Sequence, residues 1–138
     1  MRLDERFEQL IAFIGSQLGA PVDQESADEG TLIFTGGTPP EVIVQLTQSS
    51  VSVLEYAGTW EAPEQFVVKP RLVGTVRWRR LPETPTMNAV SALIKGAREM
   101  RLGRYRRCSV CDEHTPPESL VADDVCSMCS EQQDYRVH

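Results

Sequence analysis

The first part of the chain carries apolar residues at every third or fourth position, and this spacing predicts an amphipathic α-helix over residues 3–18. Gly19 follows the last apolar position and is expected to end the helix. The apolar stripe is broad, which is typical of a helix that packs on a sheet rather than of one that binds a partner. The stripe consists of Leu3, Phe7, Leu10, Ile11, Ile14 and Leu18.

The next part of the chain has a different period. Residues 20–30 are acidic and are predicted to form a loop, whereas from residue 31 onward apolar and polar residues alternate, as they do along strands. Trp60 is predicted to lie in a connecting loop. Near the end of this region the alternation places Arg77 and Arg79 on the face opposite to Trp78. The predicted strands are 31–35, 42–47, 51–56, 65–69 and 72–80.

A second long helix is predicted over residues 87–102, because apolar positions recur there with helical spacing after two prolines interrupt the chain. Thr86 is a candidate cap for its first turn. The order of helix, four or five antiparallel strands and helix indicates the α+β fold class, with both helices on one face of the sheet. We expect this α+β domain to span residues 1–104, and residues 105–138 to form a small C-terminal module.

Four cysteines, the only ones in the chain, form two Cys-x-x-Cys pairs that fourteen residues separate. Two pairs at this separation are typical of a zinc site, because a two-residue spacer lets one tight turn present both thiolates to a tetrahedral ion. His114 lies within reach of such an ion, but it is a less favoured ligand since four cysteines already complete the tetrahedron. The predicted zinc ligands are Cys108, Cys111, Cys126 and Cys129.

Two disulfides or a thioredoxin-like redox pair are the alternatives for these cysteines. Disulfides are disfavoured because the chain opens with a charged segment, residues 2–6, and shows no apolar signal sequence. This opening indicates a reducing compartment and a cytoplasmic location. A redox pair needs one Cys-x-x-Cys motif in a βαβ setting, which the residues around Cys108 do not provide.

The residues after each cysteine pair indicate the kind of zinc module. Turn residues after Cys111 lead to a short predicted strand, and residues 130–136 are predicted to form a helix that Asp123 and Asp124 are placed to cap. A knuckle, a hairpin and a helix that carries the second pair resemble the treble-clef class of zinc fingers, over about the last thirty residues. Asp112 stands where such a knuckle often has glycine. The resemblance implies a structural ion, and four thiolates leave no position for an activated water.

The composition, with 41% hydrophobic and 25% charged residues, is that of an ordinary globular protein with a modest core. Apolar runs are only a few residues long, so no membrane span is predicted. No histidine precedes His114, and no cysteine lies outside the two pairs. No Ser/His/Asp or Cys/His arrangement can therefore form in the α+β domain, and we expect that the protein is not an enzyme.

The net charge of −6 conceals an uneven distribution. Residues 69–107 hold eleven of the fourteen basic residues and two acidic ones, whereas the remainder holds three basic and eighteen acidic residues. A basic segment in an acidic chain indicates internal charge complementarity or an anionic partner. The candidate anionic-partner surface consists of Arg77, Arg79, Arg98, Arg101, Arg104, Arg106 and Arg107.

Three interpretations of this basic segment stay open at the level of sequence. The arginines nearest the cysteines would compensate the net negative charge of a zinc ion bound by four thiolates. The segment would otherwise bind an acidic protein, including a second copy of the chain, or nucleic acid, although the acidity of the remainder opposes the last. We expect a non-catalytic zinc-binding protein whose zinc module serves macromolecular recognition. The expected partner is a protein, and nucleic-acid binding through residues 69–107 is the alternative.

Overall fold

The computed structural model of the protein describes residues 2–62, 65–122 and 124–136. Short 3-10 turns lie at Asp28–Gly30 and Pro117–Ser119. The helices are α1 (Leu3–Leu18), α2 (Glu83–Gly103) and α3 (Ser127–Arg136). The strands are β1 (Val22–Ser26), β2 (Leu32–Gly36), β3 (Val42–Leu46), β4 (Val51–Glu55), β5 (Gly58–Ala62), β6 (Gln65–Val68), β7 (Arg71–Val76), β8 (Arg106–Arg107), β9 (His114–Thr115), β10 (Leu120–Ala122) and β11 (Val125–Cys126).

The described residues divide into two compact units. The first unit contains the chain up to Tyr56 and from Pro70 to Arg101. The second unit contains the segment from Ala57 to Lys69 and the chain from Leu102 onward. The cysteines therefore share a unit with the β5–β6 hairpin, which the predicted C-terminal module did not include.

An antiparallel sheet of five strands, in the order β1-β2-β3-β4-β7, forms the centre of the first unit. In β3 and β4 every second residue is buried, because successive side chains of a strand point to opposite faces. Both α1 and α2 contribute to the core on this face, which confirms the predicted α+β class. The core side chains are Leu10, Ile14, Leu18, Phe34, Val42, Val44, Leu46, Val51, Val53, Val76, Trp78, Val90, Ile94 and Ala97.

Two glycines of the sheet let the helices approach it closely. A Cβ atom at Gly36 would lie 2.8 Å from the Cβ of Leu18 in α1, and a Cβ atom at Gly74 would lie 2.7 Å from the Cδ2 of Leu93 in α2. Both distances are shorter than carbon atoms tolerate. A larger residue at Gly36 would push against α1, because the backbone oxygen of Leu18 also lies 3.0 Å away, whereas a larger residue at Gly74 would displace the end of the Leu93 side chain.

The first strand of the sheet corrects the prediction of a loop over residues 20–30. β1 pairs with β2 along its whole length, from Val22 opposite Gly36 to Ser26 opposite Leu32. Four of its five side chains are exposed, so it carries no apolar alternation. An edge strand gains its stability from backbone hydrogen bonds, and acidic side chains on it discourage pairing with other chains. The strand predicted at residues 65–69 is formed as β6, but it pairs with β5 outside this sheet.

The second long helix begins earlier than predicted. α2 starts at Glu83, four residues before the predicted start at Met87, and it includes Pro85. Proline is tolerated there because the N–H groups of the first helical turn have no acceptor within the helix. Thr86 is buried inside this turn, where its hydroxyl donates to the carbonyl oxygen of Pro82 at 2.8 Å. Of the helices among the described residues, none is long and apolar enough to cross a membrane.

The described residues of the second unit form three short hairpins, the 3-10 turn at Pro117–Ser119 and a helix. The hairpins are β5–β6, β8–β9 and β10–β11, and α3 follows the last of them. Trp60, predicted in a loop, lies in β5, and its ring contacts Phe66 of β6 edge-on, with 5.4 Å between the ring centroids. The Trp60 Nε1 donates a hydrogen bond to the carbonyl oxygen of Pro117 at 2.9 Å. The β5–β6 hairpin is thereby attached to the segment between the two cysteine pairs.

Candidate metal centre

The four cysteines converge from two hairpins and the start of a helix. Cys108 and Cys111 belong to the turn between β8 and β9. Cys126 ends β11, and Cys129 lies in the first turn of α3. The four Sγ atoms all lie within 4.8 Å of one another. The fold therefore brings the predicted ligand set together at distances that suit a single metal ion.

The turn between β8 and β9 is closed by two backbone hydrogen bonds. The N–H of Cys108 donates to the carbonyl oxygen of Glu113, and the N–H of Asp112 donates to the carbonyl oxygen of Cys108, both at 2.9 Å. Asp112 has a φ of 62°, in the left-handed region that glycine adopts most readily. The turn thus requires this conformation at the position where a zinc knuckle often carries glycine.

The turn of the β10–β11 hairpin is linked to the first cysteine pair. Asp124 in this turn has a φ of 65°, and its carbonyl oxygen accepts a hydrogen bond from the N–H of Ser109 at 2.7 Å. This bond joins the two hairpins through their backbones. The relative position of Cys108 and Cys126 is therefore defined by backbone contacts as well as by the sulfurs.

α3, which follows the β10–β11 hairpin, begins immediately after Cys126. α3 starts at Ser127, so Cys129 extends from its first turn. β11 separates Asp124 from the helix, which means that Asp124 does not act as the predicted cap. Asp123, the other predicted cap, lies outside the described residues.

One of the sulfur separations matches that of a tetrahedral thiolate site. The Sγ atoms of Cys111 and Cys126 are 3.8 Å apart. Zn–S bonds of about 2.3 Å at tetrahedral angles place neighbouring sulfurs about 3.8 Å apart. A disulfide would require about 2.05 Å between the sulfurs, and all four cysteines are free. Four soft thiolates in this arrangement fit a soft or borderline divalent ion such as zinc.

Backbone amides polarise the first of these sulfurs. The N–H groups of Val110 and Cys126 both donate to the Sγ of Cys108 at 3.4 Å. Hydrogen bonds from the backbone of Cys111 and then of Cys126 lower the pKa of Cys108 to about 6. Hydrogen bonding with Cys126, followed by burial, raises the pKa of Cys129 to about 12. Closely spaced thiols cannot all lose their protons without a cation, which a bound metal ion supplies.

The site is largely closed to solvent. The side chains of Cys108, Cys126 and Cys129 are buried, and Cys111 is exposed. His114 is exposed on β9, and its ring lies 6.0 Å from that of Tyr105. The group of closely spaced ligand atoms in the described part of the chain consists of the cysteines alone. An exposed edge at Cys111 gives a chelator access to the site.

Two arginines next to the cysteines pair with acidic residues of the turns. Arg106 lies 3.5 Å from Asp124 and Arg107 lies 3.1 Å from Asp112, between guanidinium and carboxylate atoms. Each of these aspartates is one of the residues with positive φ described above. The two ion pairs thus link β8 to both turns of the metal centre. Compensation of the zinc and thiolate charge by these arginines stays a prediction.

Arg98 of the predicted anionic-partner surface has a structural role in the first unit. Its Nη2 donates to the carbonyl oxygens of Gln17 at 3.0 Å and Leu18 at 2.9 Å, and its Nε lies 3.3 Å from the Oε1 of Glu41. The last carbonyl oxygens of a helix receive no hydrogen bond from within the helix, and the helix dipole favours a cation at this end. Arg98 therefore caps α1, a contact between residues too distant in sequence to be predicted from local patterns.

Arg101 is a correction to the same predicted surface. Only 1% of this residue is exposed, so it does not lie on the surface. Its Nε donates to the carbonyl oxygen of Pro40 at 3.0 Å, and its guanidinium carbon lies 5.0 Å from the centre of the Tyr56 ring. The helical spacing from Val90 and Ala97 places Arg101 on the apolar face of α2. This spacing could have predicted its burial, but the charge of the side chain favoured a surface position.

Exposed arginines remain at both ends of the basic segment. Arg77 and Arg79 are exposed next to the buried Trp78, but they lie in the turn after β7, because this strand ends at Val76 and not at the predicted Arg80. Arg104 is also exposed.

No family model, curated protein or solved structure matches the chain, so its function is inferred from its own residues.

Proposed function

We propose that the protein is a non-catalytic, cytoplasmic zinc-binding protein whose second unit is a treble-clef-like module for recognition of another protein. The observation that carries this proposal is the convergence of four cysteine sulfurs within 4.8 Å. The order of knuckle, hairpin and helix supports the treble-clef class, and the sulfur separation of 3.8 Å supports zinc. Each chain would bind one zinc ion, through Cys108, Cys111, Cys126 and Cys129.

The role of zinc in this proposal is structural. Four thiolates fill a tetrahedral ion, which leaves no open position for a substrate or a reactive water. β8, β9, β10 and β11 have only two or three residues each, so they cannot form a hydrophobic core of useful size. Metal binding would supply the free energy that holds these hairpins and α3 in one arrangement.

The proposal that the protein is not an enzyme rests on the residues of the first unit. The chain up to Arg101 contains neither histidine nor cysteine, the usual base and a usual nucleophile of covalent catalysis. Its buried charged residues Glu55 and Arg101 lie among the core side chains. The first unit therefore serves as a scaffold in this proposal, and recognition is the task of the second unit.

Two exposed apolar residues support a protein as the partner. Val110 is 53% exposed and Met128 is 69% exposed, and each directly precedes a cysteine of the metal centre. Zinc would hold the turn that carries Val110 and the first turn of α3 that carries Met128, which lowers the entropy cost of using both side chains in an interface. Flexible methionine side chains are well suited to apolar protein contacts.

Metal analysis tests the first part of the proposal. When the protein is purified under reducing conditions, inductively coupled plasma mass spectrometry is expected to find about one zinc ion per chain. Cys108→Ser and Cys129→Ser are expected to lose zinc, whereas Ser109→Ala, which retains all four thiols, keeps it. A reduced and folded protein without bound metal, in medium that supplies zinc, would contradict the proposal.

A matched set of surface variants tests the second part. The double variant Val110→Ser with Met128→Ser is expected to keep its zinc and to lose its protein partners in quantitative crosslinking from cells. Leu72→Ser removes an apolar side chain that is 63% exposed in the first unit, and it is expected to leave those partners unchanged. Identical crosslinked partners for the wild type and the double variant would rule out this surface.

A further inference from the structure

The first unit contains a groove of about 410 Å³ whose lining combines guanidinium groups and hydroxyl groups without a carboxylate. It lies where the turn between β3 and β4 meets the chain that follows β7. The side chains that line it are Ser49, Ser50, Thr75, Arg77, Arg79 and Arg80. This concentration of positive charge is notable because the whole chain carries a net charge of −6.

The two sides of the groove are held together by a buried tryptophan. The indole Nε1 of Trp78 donates to the carbonyl oxygen of Thr47 at 3.0 Å, and only 1% of Trp78 is exposed. The chain around it forms a tight turn in which the N–H of Arg80 donates to the carbonyl oxygen of Arg77 at 3.0 Å. Because Trp78 is buried, its neighbours in sequence point outward, into the groove. The arginines are thus presented by a rigid turn.

The hydroxyl side of the groove is also well defined. The Oγ1 of Thr47 accepts hydrogen bonds from the N–H groups of Ser49 at 3.2 Å and Ser50 at 2.9 Å, which fixes the turn between β3 and β4. The Oγ1 of Thr75 lies 3.1 Å from the Oγ of Ser52 on the neighbouring strand. The serine and threonine hydroxyls therefore have little freedom to move away from a bound group.

The guanidinium groups of Arg77, Arg79 and Arg80 form no hydrogen bond or ion pair with the part of the protein that the structure describes. Arg98 and Arg107, by contrast, pair with Glu41 and Asp112. Arg79 also lines a neighbouring cavity, together with Asp4 and Glu8. Neither of these carboxylates forms an ion pair with Arg79 in the described part of the chain. Three adjacent arginines thus keep their donors available in a chain that has twenty acidic side chains.

We propose that this groove binds the phosphate monoester group of a ligand. Guanidinium groups donate paired N–H groups that match the oxygens of a phosphate, and charge-assisted hydrogen bonds of this kind are stronger than neutral ones. The three guanidinium groups supply enough donors for all oxygens of one phosphate, and the serine and threonine hydroxyls, which have partners in the protein, complete the polar lining. The volume of the groove admits a phosphate together with a small organic part, such as a sugar or an amino-acid side chain.

A compact phosphate fits the groove better than a nucleic acid does. A polynucleotide requires positive charge along an extended surface. Here the basic segment does not continue as a free surface, because Arg98 caps α1 and Arg101 is buried. The groove is also confined to the first unit, so its occupancy is independent of the zinc proposed for the second unit.

The test uses the full-length protein with zinc, observed by NMR chemical shifts during titration with inorganic phosphate, adenosine monophosphate and a peptide that contains O-phosphoserine. Saturable shifts confined to residues 47–50 and 75–80 are expected. Stronger binding of adenosine monophosphate would assign the groove to small phosphorylated molecules. Stronger binding of the peptide would assign it to a phosphorylated partner protein.

Variants separate the groove from general electrostatics. Arg77→Gln, Arg79→Gln and Arg80→Gln combined are expected to weaken phosphate binding at least about tenfold, because each removes charge-assisted hydrogen bonds. The three side chains are exposed, so the thermal unfolding of the triple variant should match that of the wild type. Arg71→Gln, at an exposed arginine of β7 that does not line the groove, is the control that should leave binding unchanged.

Three results would overturn the proposal. The first is the absence of saturable binding by any of the three probes at millimolar concentration. The second is equal binding by the wild type and the triple variant. The third is binding of oligothymidylate that strengthens steadily with its length and falls steeply with salt, since this would indicate an extended nucleic-acid surface in place of a compact site.

Discussion

The indole Nε1 of Trp60 donates a hydrogen bond to the carbonyl oxygen of Pro117 at 2.9 Å, although 57 positions separate the two residues in the sequence. Pro117 opens the 3-10 turn that lies between the two cysteine pairs. The β5–β6 hairpin is therefore attached to the segment that joins the two cysteine pairs. A module cut from the chain at residue 105 would lack this contact.

Replacement of Trp60 should loosen the β5–β6 hairpin. Trp60→Phe removes the donor but retains a ring next to Phe66, so we expect a loss of about 1 kcal/mol in the free energy of local opening. Trp60→Ala also removes the ring contact and should lose about 1 kcal/mol more. Hydrogen exchange of residues 58–62 and 65–68 measures both effects. Thr59→Ser, at an exposed position of the same strand, is the control; equal protection in all four proteins would contradict the prediction.

Removal of zinc should affect the two units differently. Chelation under reducing conditions is expected to abolish exchange protection in β8 to β11 and α3, because in the proposed function metal binding supplies most of their stability. The β5–β6 hairpin should lose protection at the same time, since its anchor at Pro117 is lost. β1 to β4 and β7 are expected to stay protected, because their core contains no metal ligand. Unchanged exchange in the second unit after confirmed zinc removal would show that the ion has no structural role.

Replacement of Arg98 should destabilise the first unit without any effect on zinc. Arg98→Ala leaves the carbonyls of Gln17 and Leu18 without their donor, and we expect a loss of about 2 kcal/mol in the free energy of unfolding. Arg98→Lys should recover part of this loss, because an ammonium group cannot reproduce the planar fork. Urea denaturation followed by tryptophan fluorescence measures these differences.

The control for Arg98 is Lys95→Ala, which removes an exposed charge from the same helix. Its effect on unfolding should lie within about 0.5 kcal/mol, as is usual for surface substitutions. If Arg98→Ala were no more destabilising than Lys95→Ala, the capping role of Arg98 would be wrong.

The positive φ of Asp112 predicts opposite effects for two substitutions. Asp112→Gly should make the first cysteine turn about 1 kcal/mol more stable, since glycine adopts a φ of 62° without strain. The exposed ion pair with Arg107 that it removes is expected to contribute less than this. Asp112→Val should destabilise the turn, because a β-branched residue is strained there. Zinc transfer to a coloured chelator should be slower for the glycine variant and faster for the valine variant; the reverse order would contradict this account.

Local patterns were sufficient to predict the elements whose signal is periodic. The helix over residues 3–18 is confirmed at both ends, and so are the antiparallel sheet of four or five strands, the long second helix and the C-terminal cluster of cysteines. Burial favours apolar residues at the repeat of the helix or strand that they belong to, so these patterns can be recognised within a short stretch of sequence. The cysteine spacing is equally local, because each pair occupies one turn.

Other features depended on contacts between residues far apart in sequence. β1 has no apolar alternation, since an edge strand forms by backbone pairing with β2. The hairpin that contains Trp60 is attached to the segment between the two cysteine pairs, where the indole N–H donates to the carbonyl oxygen of Pro117. Arg98, Arg101 and Arg77 have the same charge in the sequence, but one caps a helix, one is buried, and one lines an open groove.

The sequence by itself therefore determined the fold class and the set of cysteines, because hydrophobic period and ligand spacing are properties of short segments. Only the tertiary structure decided the membership of the sheet, the composition of the unit around the cysteines and the separate roles of the arginines. The physical reason is that the environment of a charged side chain, unlike the period of an apolar one, is set by whichever distant backbone carbonyls, rings and carboxylates the fold places beside it.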